Sequence, residues 1–117
     1  MVNPYKINNK VEYISKRRSA FVTVIAYVIH DGYHDIREVL MDIFRRLAKE
    51  SKYARSVSFG IVDIVQQSDL GDLIKFRFSA EELPKIVIYR SGGSSVFEVD
   101  KIDYQKIKIA IDLALIH

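Results

Sequence analysis

The sequence predicts a single α/β domain with a central mixed β-sheet flanked by helices, and three observations carry that reading. An uncharged, β-branched run, "AFVTVIAYVI" from Ala20 to Ile29, is followed by a strongly amphipathic stretch from Ile36 to Ala48. A second apolar run, "SVSFGIVDIV" from Ser56 to Val65, precedes another short helical pattern. A proline-led pair of runs, "PKIVIYRSGGSSVFEVD", then reads as a hairpin. Strand and helix patterns in alternation, closing on a hairpin, describe an open α/β sheet. At 117 residues, 49% of them apolar, the chain has enough material for one core.

The elements follow in order. Residues 1–19 read as a basic N-terminal arm or a short edge strand, ahead of a domain over 20–117. Within the arm, "KVEYIS" alternates Val11, Tyr13 and Ser15 against Glu12 and Ile14, as an edge strand does. Ala20–Ile29 lacks any charge, which suits a strand buried on both faces. Ile36, Val39, Leu40, Ile43, Phe44, Leu47 and Ala48 fall on one helical stripe, with Arg37, Glu38, Asp42, Arg45, Arg46 and Lys49 largely off it. Ser56–Val65 is the next strand, with Gly60 leaving room for a close neighbour. "SDLGDLIKFRFS" reads as a short helix opened by Ser68 or Asp69. In the hairpin, Ile86 and Ile88 face Val96 and Val99 across "RSGGSS", whose glycines tolerate a tight turn.

The last segment, "DYQKIKIAIDLALIH", fits two periods: alternate isoleucines and leucines suit a strand, but Ile107, Ala110, Ile111, Ala114 and Leu115 form a helical stripe, and the length favours helix. As a helix it carries a second apolar stripe, Ile109, Leu113 and Ile116, which needs a partner. That stripe predicts a homo-oligomer, a dimer, or a bound protein.

Charge and composition exclude several functions. There is no cysteine, so disulfides, thiolate catalysis and Cys-ligated zinc are absent, in keeping with a cytoplasmic setting. The run Ala20–Ile29 is too short to cross a bilayer, and "MVNPYKINNK" lacks the apolar segment of a signal peptide. Residues 1–20 hold Lys6, Lys10, Lys16, Arg17 and Arg18 against Glu12, while the rest of the chain is close to neutral. Lys16, Arg17 and Arg18 are therefore the candidate contacts in an alternative reading, a small basic accessory protein that binds nucleic acid. The tyrosines are scattered rather than interleaved with Lys and Arg, so no base-stacking platform is evident. Arg45, Arg46 and Lys49 form a solvated helix face first and a phosphate patch second.

From Ala20 onward the order strand, helix, strand, helix, hairpin, helix demands a right-handed crossover between the first two strands, which then pair in parallel. Three pieces, "FVTVIAYVIHDGYHDIREVL", "VSFGIVDIVQQSDLGDLIKF" and "LPKIVIYRSGG", together about four-fifths of the chain, resemble the thioredoxin fold family. The family's Cys-x-x-Cys lies where the first strand meets its helix; here His30-Asp31-Gly32-Tyr33 stands in that place. Without a thiol, dithiol exchange is impossible. Pro84 matches the family's proline, so the resemblance implies a cis Leu83–Pro84 bond. It also implies that Leu83 offers backbone groups to an extended segment, a surface that needs no cysteine. Asp63 matches a position often acidic in the family, and equally suits the solvent-facing start of a loop.

The loop "HDGYHD", His30 to Asp35, carries two His-Asp pairs and three readings. Asp35-x-x-Glu38 resembles a capping box ahead of the helical stripe, with Asp31-Gly32 as a turn. Alternatively His30, Asp31, His34 and Asp35 converge on a zinc or manganese ion, the basis of a metal-dependent hydrolase. A catalytic role for His30 with Asp31 or Tyr33 needs a nucleophile, and none stands at a recognisable turn. The expectation is therefore a non-redox protein-binding module, adaptor or chaperone-like, rather than an enzyme. It uses no cofactor and binds an unidentified protein or peptide through His30, Asp31, Tyr33, His34, Leu83 and Pro84.

Overall fold

The computed structural model describes residues 5–7, 10–17, 20–28, 36–53, 55–63, 83–90 and 95–116. Their elements are β1 (Tyr5–Ile7), α1 (Lys10–Arg17), β2 (Val22–Val28), α2 (Ile36–Ala48), a 3-10 turn at Ser51–Tyr53, β3 (Val57–Asp63), β4 (Lys85–Arg90), β5 (Ser95–Val99) and α3 (Tyr104–Ile116). The helix expected over Ser68–Phe78 lies outside the described residues.

Among the described residues one five-stranded sheet runs β1-β3-β2-β4-β5. β2 is its centre, and all seven of its residues are buried, which is why it carries no charge. It pairs in parallel with β3, from Val22 opposite Val57 to Val28 opposite Asp63. On its other side it pairs antiparallel with β4, from Val22 opposite Arg90 to Tyr27 opposite Lys85. β1 adds in parallel to β3, and β5 closes the hairpin on β4 with a register shift between Ile88 and Tyr89.

The sheet separates two cores. On one face Val22, Val24, Ala26 and Val28 meet Leu40, Ile43, Phe44 and Leu47 of α2 and Ile107, Ala110, Ile111 and Ala114 of α3. Phe44 packs on Phe59 with ring centroids 5.2 Å apart. On the other face Ile25, Tyr27, Val62, Val87 and Tyr89 meet Tyr13 of α1. The side-chain period of two along each strand assigns neighbours to opposite cores.

α3 settles the ambiguity of the last segment. Asp103 caps it by accepting the Lys106 N–H at 3.1 Å, which satisfies a donor the first turn leaves open. Its flank is tied to α2 and the 3-10 turn. The Arg46 guanidinium lies 4.5 Å above the Tyr104 ring, Lys108 pairs with Glu50 at 3.1 Å, and the Tyr53 hydroxyl donates to Asp112 at 2.6 Å. At the far end Arg90 Nη2 donates to the Ala114 carbonyl at 2.9 Å.

One local reading is corrected. The alternation of Val11, Tyr13 and Ser15 is helical, not a strand, because α1 spans Lys10–Arg17 and turns Tyr13 and Lys16, three residues apart, toward the sheet. The edge strand in this region is Tyr5–Ile7 instead.

Candidate functional site

β2 ends at Val28 and α2 begins at Ile36, so the chain between them leaves the C-terminal end of the sheet. His30, Asp31, Tyr33, His34 and Asp35 lie in that segment, outside the described residues. Their convergence on a metal, a cap or a partner is therefore carried no further. Among the described residues, no group of three or more His, Asp or Glu side chains could hold an ion.

Leu83 and Pro84 are described. The Leu83–Pro84 peptide bond is cis, as the resemblance implied. The antiparallel register that pairs Tyr27 with Lys85 carries Leu83 past the last bonded pair, at the end of the sheet where β2 finishes. Its half-buried side chain packs against the Tyr13–Tyr27–Tyr89 core. Asp63 closes β3 opposite Val28, the last residue of β2, at the same end of the sheet.

Sequence periodicity assigned Ile36 and Val39 to the buried stripe of α2, but both stand in solvent, 42% and 49% exposed. The cause is the reach of α3. Tyr104, its first residue, lies beside Arg46 in the last turns of α2, so α3 leaves the first two turns of α2 bare. Two apolar side chains thus remain uncovered at the end of α2 nearest the His-Asp segment.

This architecture is that of known proteins. No family model matches the chain, and no curated relative matches it. Among solved structures it is similar to a thioredoxin from Malassezia sympodialis, at TM-score 0.73 and 18% identity over 97% of this chain and 92% of that one. A mutant thioredoxin from Halobacterium salinarum gives TM-score 0.72 and 16% identity over 96% and 90%. Thioredoxin O1 from Arabidopsis thaliana gives 0.71 and 18% over 95% and 96%. The chain has a thioredoxin-like fold. Having no cysteine, this thioredoxin-like domain lacks the Cys-x-x-Cys motif and its dithiol chemistry.

The remaining candidates divide. Lys16, the first of the three basic residues proposed for nucleic acid, is only 6% exposed, and burial pulls its amine down to about 8. Most of its surface is covered by the protein. Arg17 ends α1 and Arg18 lies outside the described residues. Ile109, Leu113 and Ile116 do form an exposed stripe on the thioredoxin-like domain, and Ile116 is 74% exposed.

One buried polar cluster has no counterpart in the sequence reading. The Tyr27 hydroxyl lies 2.7 Å from that of Tyr13 and 2.5 Å from that of Tyr89. Burial, and then its two tyrosine neighbours, push the Tyr27 phenol well above the usual tyrosine range. The Thr23 hydroxyl on the same face of β2 donates to the Lys16 carbonyl at 3.3 Å. No spacing rule links positions 13, 27 and 89; the packing of α1 on this face of β2 and β4 brings them together.

Proposed function

We propose that this chain is a non-redox, protein-binding member of the thioredoxin fold that takes an extended peptide segment at the C-terminal end of β2. One observation carries the reading. Exposed Ile36 and Val39 on α2 and half-buried Leu83 beside Pro84 stand at the same end of the sheet, flanking the segment that holds His30, Asp31, Tyr33 and His34. Apolar side chains left uncovered there suit the alternating side chains of a bound strand, and the Leu83 backbone suits its hydrogen bonds. Such a module needs no thiol.

The test is selection of phage-displayed peptides on the wild-type chain, with the Val39→Asp variant as counter-selection. A peptide consensus whose titration shifts the Leu83 and Val39 amide resonances, and which the variant no longer binds, supports the reading. Peptides that bind both proteins equally and shift neither amide overturn it.

A second surface supports self-association. Ile109, Leu113 and Ile116 recur at i, i+4 and i+7 on the outer face of α3, the spacing of a helix–helix seam. We propose that two copies pair there as a homodimer.

A further inference from the structure

α3 carries its charges against its own dipole. Lys106 stands in the first turn and no lysine or arginine stands in the last, where a helix leaves carbonyls open and favours cations. Arg90 of β4 meets one of those carbonyls, that of Ala114. Lys106 is exposed and has no ion pair among the described residues. It also lies on the outer stripe: Lys106, Ile109, Leu113 and Ile116 recur at i, i+3, i+7 and i+10, the repeat of a helix–helix seam. Asp112, the sole acidic residue of α3, is paired with Lys52 at 3.2 Å and accepts the Tyr53 hydroxyl, so its charge is answered within the chain.

We propose that a second copy packs antiparallel on α3, about a two-fold axis at the level of Ile111, so that each Lys106 reaches the C-terminal end of the partner's α3. The layers are self-complementary. Ile109 meets the partner's Leu113, and Lys106 lies over the partner's Ile116. The lysine stem then covers the isoleucine, and its ammonium extends past it to the last carbonyls. Arg46, 4.5 Å above the Tyr104 ring, adds a second cation at the same end. A parallel pair instead sets Lys106 beside Lys106, aligns the two dipoles and leaves both helix ends unanswered. The orientation rests on the homodimer reading and adds direction and register to it.

Size sets the strength. From Lys106 to Ile116 the seam runs about 15 Å along the helix. Three apolar side chains per copy cover far less than the roughly 800 Å² per partner of a standard interface. The dimer is therefore weak, and its population follows concentration.

Because the chain has no cysteine, an introduced thiol reports distance without background. Ile109→Cys is mixed with isotope-labelled Leu113→Cys at a concentration where sedimentation velocity shows the wild-type dimer. Mild oxidation follows, and mass spectrometry sorts the disulfide dimers by label. Unlike pairs share a layer. Like pairs are offset by about 6 Å along the axis, on top of the gap of about 8–10 Å between the helices, beyond the reach of a disulfide. Mixed-label dimers are therefore expected about tenfold faster than the disulfide of either variant alone. Lys106→Glu weakens the dimer about tenfold or more, because the change acts at both symmetric ends, and Lys106→Arg does not. Faster cross-linking of like pairs, or a dimer indifferent to Lys106→Glu, overturns the orientation and leaves the homodimer standing. A wild-type chain that is monomeric at every concentration removes the homodimer and the orientation with it. Ile109 and Leu113 are exposed, so either thiol leaves the fold intact, as circular dichroism melts of each variant verify.

Discussion

The Tyr27 hydroxyl bonds the Tyr89 hydroxyl at 2.5 Å across the β2–β4 pair, and at 2.7 Å it also meets Tyr13 of α1. Three phenols drawn from three elements thus share one buried hydrogen-bonded run beneath the sheet. Replacing the central one, Tyr27→Phe, removes a partner from both neighbours and costs about 1–3 kcal/mol. Urea unfolding is expected to show that loss in the midpoint, with an unchanged slope. The same geometry sets an alkaline limit. Tyr27 holds its proton in the folded state above the pH at which it ionises in the unfolded chain. Over that range the unfolded state binds fewer protons, so stability falls as pH rises above about 10. In Tyr27→Phe that alkaline fall is shallower.

Lys16 acts with the opposite sign. Its amine, pulled to about 8 by burial, is neutral in the folded chain over a range where the unfolded chain keeps it charged. Between about pH 8 and about 10.5 the unfolded state binds more protons, so this residue's contribution to stability rises with pH. Below pH 8 the cost of burying its charge is fully present. Lys16→Met is expected to raise stability at neutral pH by on the order of 1 kcal/mol, and to flatten the rise between pH 8 and 10.5. Denaturant titrations at pH 6, 8 and 9.5, about equally spaced around the folded value, check both.

Arg90 fixes the end of α3. Its Nη2 holds the Ala114 carbonyl at 2.9 Å, where the helix leaves acceptors open, while its buried Nε has no partner among the described residues. Arg90→Met is expected to speed amide exchange in the last turn of α3 and to cost about 1 kcal/mol overall. Removing the Nε breaks no hydrogen bond among the described residues and relieves its desolvation, so the cost stays below that of a fully bonded arginine. Hydrogen exchange followed by NMR resolves the turn from the rest of the helix.

If two copies pair through α3, Ile109→Lys with Ile116→Glu converts the assembly to a monomer. Both residues are largely exposed, so the melting temperature of the monomer itself changes little. Sedimentation velocity over a concentration series separates the outcomes: a wild-type chain that stays monomeric at all concentrations sinks the dimer.

Much of the fold was legible because single elements carried whole signals. β2 is uncharged over its full length and is buried on both faces; α2 spans the residues its stripe marked; Pro84 stands at the entry of β4. The N-terminal helix was misread because six residues of alternation hold less than two helical turns. Lys16 misled as well, since a lysine beside two arginines reads as surface until the fold buries it. The exposure of Ile36 and Val39 depends on where α3 begins, and the tyrosine run depends on how α1 packs on β2 and β4. Both are products of topology, which local pattern does not encode.

The strand order also sets a sequence of opening. β2 is bonded along its length to β3 on one side and β4 on the other, while β1 is held by three residues. Amides of Val24 to Tyr27 therefore exchange last, on the clock of global unfolding, and those of β1 exchange first. The Leu83 end of the sheet therefore adjoins its most firmly paired strands, and β1 is the part expected to part from the sheet first.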